Sequence, residues 1–295
     1  MNPSLPPGVV LDSGRGGLRR LSIDTGICAA ELYLHGAHLC RWQPRSQPQP
    51  VLWMSEASRY EPGVPIRGGV PICFPWFGPR AGDPSAPVHG VARIGAWYLD
   101  GVTLEAAGSV NARLSLDCGA LVSPPVPHGL RLAYEVRLGQ DLSMSLTVTN
   151  PADVPTRFEE ALHTYFAVGD VRQVSVAGLE GATYADKVDG AKRKTQADAL
   201  ITIGGETDRL YLDTGSAVTL RDLSFGRRIR VEKTGSRSTV VWNPWVAKSK
   251  AMPDFGDDEW PGMLCIETAN AADNAVTIPP HASHTMTAEI SVTAI

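Results

Sequence analysis

Alternation of apolar and polar residues in two successive stretches, LRLAYEVRL (130–138) and LSMSLTVTN (142–150), is the strongest constraint on the fold. Successive side chains of a strand point to opposite faces, so a period of two gives each stretch one face for a core and one for solvent. A helix cannot use this pattern, because its faces recur at about 3.6 residues. Elsewhere short apolar runs are separated by turn residues, as in LRRLSID, GICAAELYLHGAHLCRW, VLWM, AVTLRD, RRIRVEKTG and STVVWNP. Such spacing indicates antiparallel strands joined by turns, with a meander over 101–150. WVAKSKAMPDFGDDEW (245–260) is the one candidate for a short helix or structured loop, and the chain closes with two strands around an IPPHAS turn. The expected class is all-β: a large antiparallel two-sheet sandwich, a single domain over 1–295, with helical turns confined to connections.

Charge excludes some functions. Asp and Glu number 31 against 27 Lys and Arg, for a formal charge of −4, and no basic block appears, which argues against a nucleic-acid partner. No apolar run approaches the roughly 20 residues of a membrane helix, and MNPSLPPGVVLDSG has no charged n-region before an apolar stretch, so a cytoplasmic location is the default. Cys28, Cys40, Cys73, Cys118 and Cys265 are widely spaced with no CxxC pair. They read as reduced core thiols, not as disulfides or zinc ligands. A monomer is the default assembly.

Four regions carry candidate chemistry. In RFEEALHTYFAVGD (157–170), His163 stands inside what reads as a buried strand, either as a core histidine satisfied by a neighbour or as a working imidazole. Of Glu159 and Glu160, which alternation places on opposite faces, one is a candidate to orient it or to sit in the cleft. Glu267 ends the apolar run of MLCIETAN, where a carboxylate is either ion-paired or has a raised pKa suited to a base. Asp208 precedes an apolar pair in ETDRLY.

The fourth region, 62–97, is dense in Gly and Pro, which excludes regular structure and marks a long ordered loop. It carries Arg67, Arg80, His89 and Arg93. The spacing is not that of a GxxxxGK[ST] phosphate loop. Its guanidinium groups either bind a phosphate or carboxylate or cap carbonyls and pair with acids. Gly68-Gly69 after Arg67 would let backbone approach a ligand. His35 and His38 read as surface or turn residues, and the basic cluster at 192–194 as a solvated hairpin tip.

PIRGGVPICFPWFG, PVHGVARIGAW, EEALHTYFAVGD, ETDRLY, STVVWNPW and CIETANA, in this order, resemble the hexose-6-phosphate mutarotases, the glucose-6-phosphate 1-epimerase branch of the aldose 1-epimerases. The resemblance implies a galactose mutarotase-like β-sandwich, normally cofactor-free and without a catalytic metal, that interconverts the α and β anomers of a sugar phosphate. It places the catalytic histidine at His163 and the catalytic glutamate at Glu267. It places the phosphate-holding arginines at Arg67 and Arg93, the hydroxyl-binding aspartate at Asp208 and the second histidine at His89. Val88 stands where relatives often have Gln, which removes one amide contact to the sugar. Two other readings are a mutarotase of free aldoses, which leaves the guanidinium groups without an anionic partner, and a non-catalytic sugar-phosphate sensor. Glycoside hydrolysis needs two carboxyls flanking the bond, and only Glu267 is a convincing one.

Overall fold

The computed structural model describes residues 5–105, 107–118 and 129–295. Residues 1–4 of the start, and 106 and 119–128 within the expected meander, lie outside the described residues. Among the described residues the strands pair antiparallel into two large sheets, with a four-stranded sheet at the amino-terminal end. The first large sheet has nine strands. Its inner members run Arg227–Thr234, Ser283–Ala294, Leu142–Thr149, Arg131–Leu138 and Val110–Asp117.

The alternation in the sequence becomes alternation in burial there. Leu132, Tyr134, Val136 and Leu138, with Leu142, Met144, Leu146 and Val148, face the core. Each such side chain contributes about 1.5–3 kcal/mol by leaving water. The opposite face is polar, and Ser145–Thr287, Thr147–Thr285 and Thr149–Ser283 bond across strands at 2.8 Å.

The second sheet, of eight strands, is built differently. Ser238–Asn243 and Met263–Asn270, at its centre, are buried at every position. One hydrophobic cluster includes Val136, Leu146 and Met286 of the first sheet and Leu162, Val240 and Leu264 of the second. Both faces of Ser238–Asn243 and Met263–Asn270 are thus covered, which lets polar groups be enclosed there. The expected all-β sandwich is therefore present. Trp245–Ala251 forms the short helix expected after STVVWNP, and Val276–Ile278 and Ser283–Ala294 flank the IPPHAS turn. All five cysteines are free and buried. No helix among the described residues is long and apolar enough to cross a membrane.

Several local expectations need correction. Residues 157–170 are not one strand but three short ones, Thr156–Phe158, Glu160–Leu162 and Tyr165–Ala167. The loop at 62–97 contains one short strand, Ile72–Cys73, and one 3-10 turn, Ala92–Ile94. Lys192–Thr195 is a strand, and the hairpin tip is the preceding Lys187–Asp189 turn. His35 and His38 are buried rather than exposed, and their Nε2 atoms sit 2.8 Å from the carbonyls of Val64 and Gly68. Burial pushes His38 down to about 3, so it is a neutral tie that anchors the arginine loop. The glycine pair serves the same anchoring. A Cβ at Gly68 would lie 2.5 Å from the Trp53 carbonyl oxygen and one at Gly69 2.2 Å from that of Leu39, so the close approach is to neighbouring backbone.

Candidate active site

Strand register brings the two principal candidates together. Leu162 pairs with Thr268, and Tyr165 pairs with Cys265, on the same central strand. Counting inward from both pairs sets His163 opposite Glu267. Here the first strand is interrupted: the His163 amide donates 3.0 Å to the Pro71 carbonyl and the Ile266 amide donates 3.2 Å to that of Thr164. His163 Nε2 and Glu267 Oε1 lie 3.4 Å apart, with Glu267 only 1% exposed. His163 Nδ1 and Glu267 Oε2 have no hydrogen-bond partner among the described residues. Native interiors rarely leave such atoms unsatisfied, and two of them at one spot suit a group that is bound for its polar atoms.

Burial sets the ionisation of this pair. It pushes the Glu267 carboxyl well above its ordinary range, with Asp208 adding to the effect and Lys187 opposing it. It pushes His163 well below its ordinary range, and the charges of Arg93 and Arg67 add to the shift. The pair is thus driven towards its neutral form, carboxyl beside imidazole. It can accept a proton at one member while releasing one at the other.

The surroundings fix both rings. Tyr165 stacks on His163 at 4.7 Å with planes 10° apart, and Trp53 backs Tyr165 at 5.7 Å. His89 meets His163 edge-on at 5.5 Å and Phe77 at 4.8 Å. Its Nδ1 accepts from the Gly78 amide at 3.2 Å, which in the neutral ring leaves the proton on Nε2. Burial, with Arg93 and His163 nearby, keeps His89 well below its ordinary range and therefore a neutral donor. Its backbone is left-handed, with φ 63°, and Gly90 follows at 77° because a Cβ there would meet the Phe74 carbonyl oxygen at 1.9 Å.

A cavity of about 380 Å³ opens onto these groups, within the range of small-molecule sites. Among its walls are His89, His163, Glu267, Asp208, Arg67 and Arg93, so the six residues that the resemblance singled out meet there. Val88 also lines it. A second cavity of about 440 Å³, beside Trp53 and Arg41, contains none of the acid/base residues, so volume alone does not select the site. Neither Glu159 nor Glu160 lines the first cavity. Glu159 accepts from the amides of Phe77 and Ala272, which fixes the loop behind Phe77. Glu160 is fully buried between Asn270, at 2.8 Å, and His284, at 3.1 Å. Arg80 lies over Trp76, outside the cavity.

The two arginines differ. Arg67 makes a buried bidentate pair with Asp254 through Nε at 3.2 Å and NH2 at 3.0 Å, and its NH1 donates 2.9 Å to the Tyr165 hydroxyl. Arg93 is buried without a carboxylate partner among the described residues. Its NH2 donates 2.6 Å to the Val88 carbonyl, and its Nε has no partner among the described residues. Lys187 and Lys248 complete the cationic wall. Sequence reasoning missed both, since each sits in a polar turn or helix with no distinguishing pattern. Asp208 lies between them, 3.8 Å from Lys187 and 3.9 Å from Lys248, and burial raises its pKa.

The profile of the family described as aldose 1-epimerase matches residues 19–291. An Escherichia coli (strain K12) protein named "Putative glucose-6-phosphate 1-epimerase" is 37% identical over 244 residues, covering 83% of this chain and 80% of its own length. The crystal structure of a "putative mutarotase" from Salmonella typhimurium is similar with a TM-score of 0.91 and 31% identity, covering 99% of this chain and 96% of that one. A galactose mutarotase-like protein from Clostridium acetobutylicum, 13% identical with a TM-score of 0.71 over 97% of this chain and 98% of its own, shares the fold.

Proposed function

The chain belongs to the aldose 1-epimerase family, and we propose that it interconverts the α and β anomers of hexose 6-phosphates, D-glucose 6-phosphate first among them. The observation that carries this reading is that His163 and Glu267 lie 3.4 Å apart in a cavity whose wall also holds Arg67 and Arg93. A neutral sugar gives guanidinium groups no anionic partner, whereas a phosphate with close to two negative charges does. The similar Escherichia coli protein bears the name of an epimerase of glucose 6-phosphate, which supports the same substrate.

In the proposed mechanism bound substrate favours the charged form of the pair, Glu267 carboxylate with His163 imidazolium, and from it Glu267 takes the proton of the anomeric hydroxyl while His163 gives one to the ring oxygen. The C1–O5 bond breaks, C1=O1 forms, and rotation about C1–C2 presents the other carbonyl face. Closure runs the steps backwards: O5 attacks C1, His163 takes its proton back and Glu267 returns one to O1. Both groups end as they began, so the chemistry needs no further reagent. Each proton transfer is worth about 10²–10⁴-fold. His89 supplies a fixed neutral N–H to a sugar oxygen, Asp208 accepts from sugar hydroxyls, and Arg67 and Arg93 hold the phosphate away from the reacting centre. Residues 1–295 act as one domain in this proposal, supported by the single large cluster shared between the sheets.

The test is anomer exchange followed by NMR on glucose 6-phosphate and on free glucose. Faster exchange of the phosphorylated sugar supports the proposal. Faster exchange of glucose alone would move the substrate to free aldoses, and binding of glucose 6-phosphate without exchange would make the protein a sensor.

A further inference from the structure

The proposed substrate is a dianion, so its site must offer positive charge not already neutralised by the protein. Four cations line the cavity, and their partners separate them. Arg67 is matched by Asp254, which engages both its Nε and NH2 groups, and Tyr165 takes one hydrogen of NH1. Lys248 donates 3.1 Å to Glu206. Arg93 has no carboxylate within ion-pair distance among the described residues and bonds only a backbone carbonyl. Among the described residues the one ionic partner of Lys187 is Asp208 at 3.8 Å, beyond hydrogen-bond length, and Asp208 is shared with Lys248.

The position of Lys187 is equally distinctive. It opens the Lys187–Asp189 turn between Thr183–Asp186 and Lys192–Thr195, and the preceding Asp186 caps that turn through the Val188 amide. Its Nζ lies 4.4 Å from the centroid of Phe77, whose other neighbour is His89 at 4.8 Å. One aromatic ring therefore separates this ammonium from the imidazoles. The side chain is 33% exposed and lines the cavity, so it meets both solvent and the site. A compact ammonium with no hydrogen-bonded acceptor can close on an entering oxyanion without breaking an established bond.

We propose that Lys187 is a substrate-binding and specificity-determining residue, which with Arg93 supplies the least compensated positive charge in the cavity to recognise the phosphate, while Arg67 acts as a pre-paired donor beside them. This rests on the phosphorylated substrate proposed above and adds a contact that the sequence motifs did not include. Asp208, released from Lys187 when the phosphate arrives, is then free to accept from sugar hydroxyls.

The experiment compares wild type with Lys187→Met, which keeps much of the stem without the charge, and Lys187→Arg, which keeps the charge. The readouts are kcat/KM for glucose 6-phosphate relative to that for glucose, and Ki for inorganic phosphate as a competitor. Loss of one charge-assisted contact predicts that Lys187→Met lowers the ratio and raises Ki by about 10–100-fold, with Lys187→Arg recovering most of both. A ratio and a Ki unchanged in Lys187→Met, or equal losses on both sugars, would overturn the inference while leaving a wild-type preference for the phosphorylated sugar standing. Wild type that shows no such preference would remove the functional proposal and this contact together.

Discussion

Replacing Glu267 by Gln should abolish most turnover and stabilise the fold, by an amount that grows with pH. The substitution keeps shape while removing the ability to hold or accept a proton. In the folded protein the carboxyl is buried, one oxygen is 3.4 Å from an unprotonated imidazole and the other has no hydrogen-bond partner among the described residues. Burial raises its pKa well above the ordinary value of 4.5. Above that ordinary value the unfolded chain binds fewer protons here than the folded one, so Glu267 lowers stability as pH rises until its folded pKa is reached. The slope is at most about 1.4 kcal/mol per pH unit. Gln has no such slope, so the variant's advantage should widen by up to about 1.4 kcal/mol between pH 5 and pH 6. His163 has the opposite sign: buried and depressed, it lowers stability below its ordinary 6.5 and ceases to do so above it. In the window between the two ordinary values the slopes oppose each other in wild type, and the variant should expose the rising one. Urea unfolding of both proteins from pH 5 to pH 8 measures the difference, and NMR anomer exchange measures the rate, expected to fall by about 10²–10⁴-fold. A stability difference independent of pH would refute the ionisation argued for this carboxyl. Retention of a tenth or more of the rate would refute its role as base.

Three further outcomes follow from the same geometry. Arg93→Ala should weaken glucose 6-phosphate by tenfold or more in KM, roughly one charge-assisted contact, with a small effect on thermal stability because no acid loses a partner. Arg67→Ala should weaken the same substrate and also cost about 3 kcal/mol in urea unfolding, because it strands the buried Asp254; intact stability would show that this pair is not needed to hold the loop. His284→Ala should destabilise by about 1–3 kcal/mol at pH 6 by stranding Glu160. The Glu160 hydrogen bond raises the His284 pKa, so its contribution is complete below 6.5 and fades as pH rises through the folded value. The loss must therefore be smaller at pH 9, and a loss that grew with pH would exclude the ion pair.

The sheets were legible because alternation is local: Leu132 to Val148 announce which face is buried without reference to any other strand. The site was legible by residue type and by resemblance, but not by geometry. His163 and Glu267 meet through register between strands about a hundred residues apart in sequence, and periodicity does not encode register. Asp254 pairs with Arg67 across 187 residues, and nothing in MPDFGDD distinguishes that acid from its neighbours. Lys187, in ADKVDG, has the composition of a solvated turn and gains meaning only from Phe77 beneath it. His35 and His38 were misread for the converse reason. A histidine flanking Gly36-Ala37 resembles a turn residue until the carbonyl that its ring meets, on a loop about thirty residues later, is known.

The division between what the sheet holds and what the loops hold also bears on how such a site can change. His163 and Glu267 are fixed by a register that buries every side chain of Met263–Asn270, so shifting either would disturb the core through its neighbours. Arg67, Arg93 and Lys187 come from a long loop and a turn, whose backbones are held by separate ties: His35, His38 and Glu159 for the loop, and the Asp186 cap for the turn. Substitution at Lys187 alters the charge shown to the substrate and leaves those ties intact. In the proposed reaction, chemistry at C1 and recognition of the phosphate are therefore held by different elements, with recognition the more tolerant of mutation, although the charges of Arg93 and Lys187 also bear on the ionisation of the acid/base pair. Arg67 is the exception, because its pairing with Asp254 and Tyr165 couples the phosphate end to the ring stacked on His163. A change of substrate that keeps the reaction is thus more accessible through Lys187 and Arg93 than through Arg67.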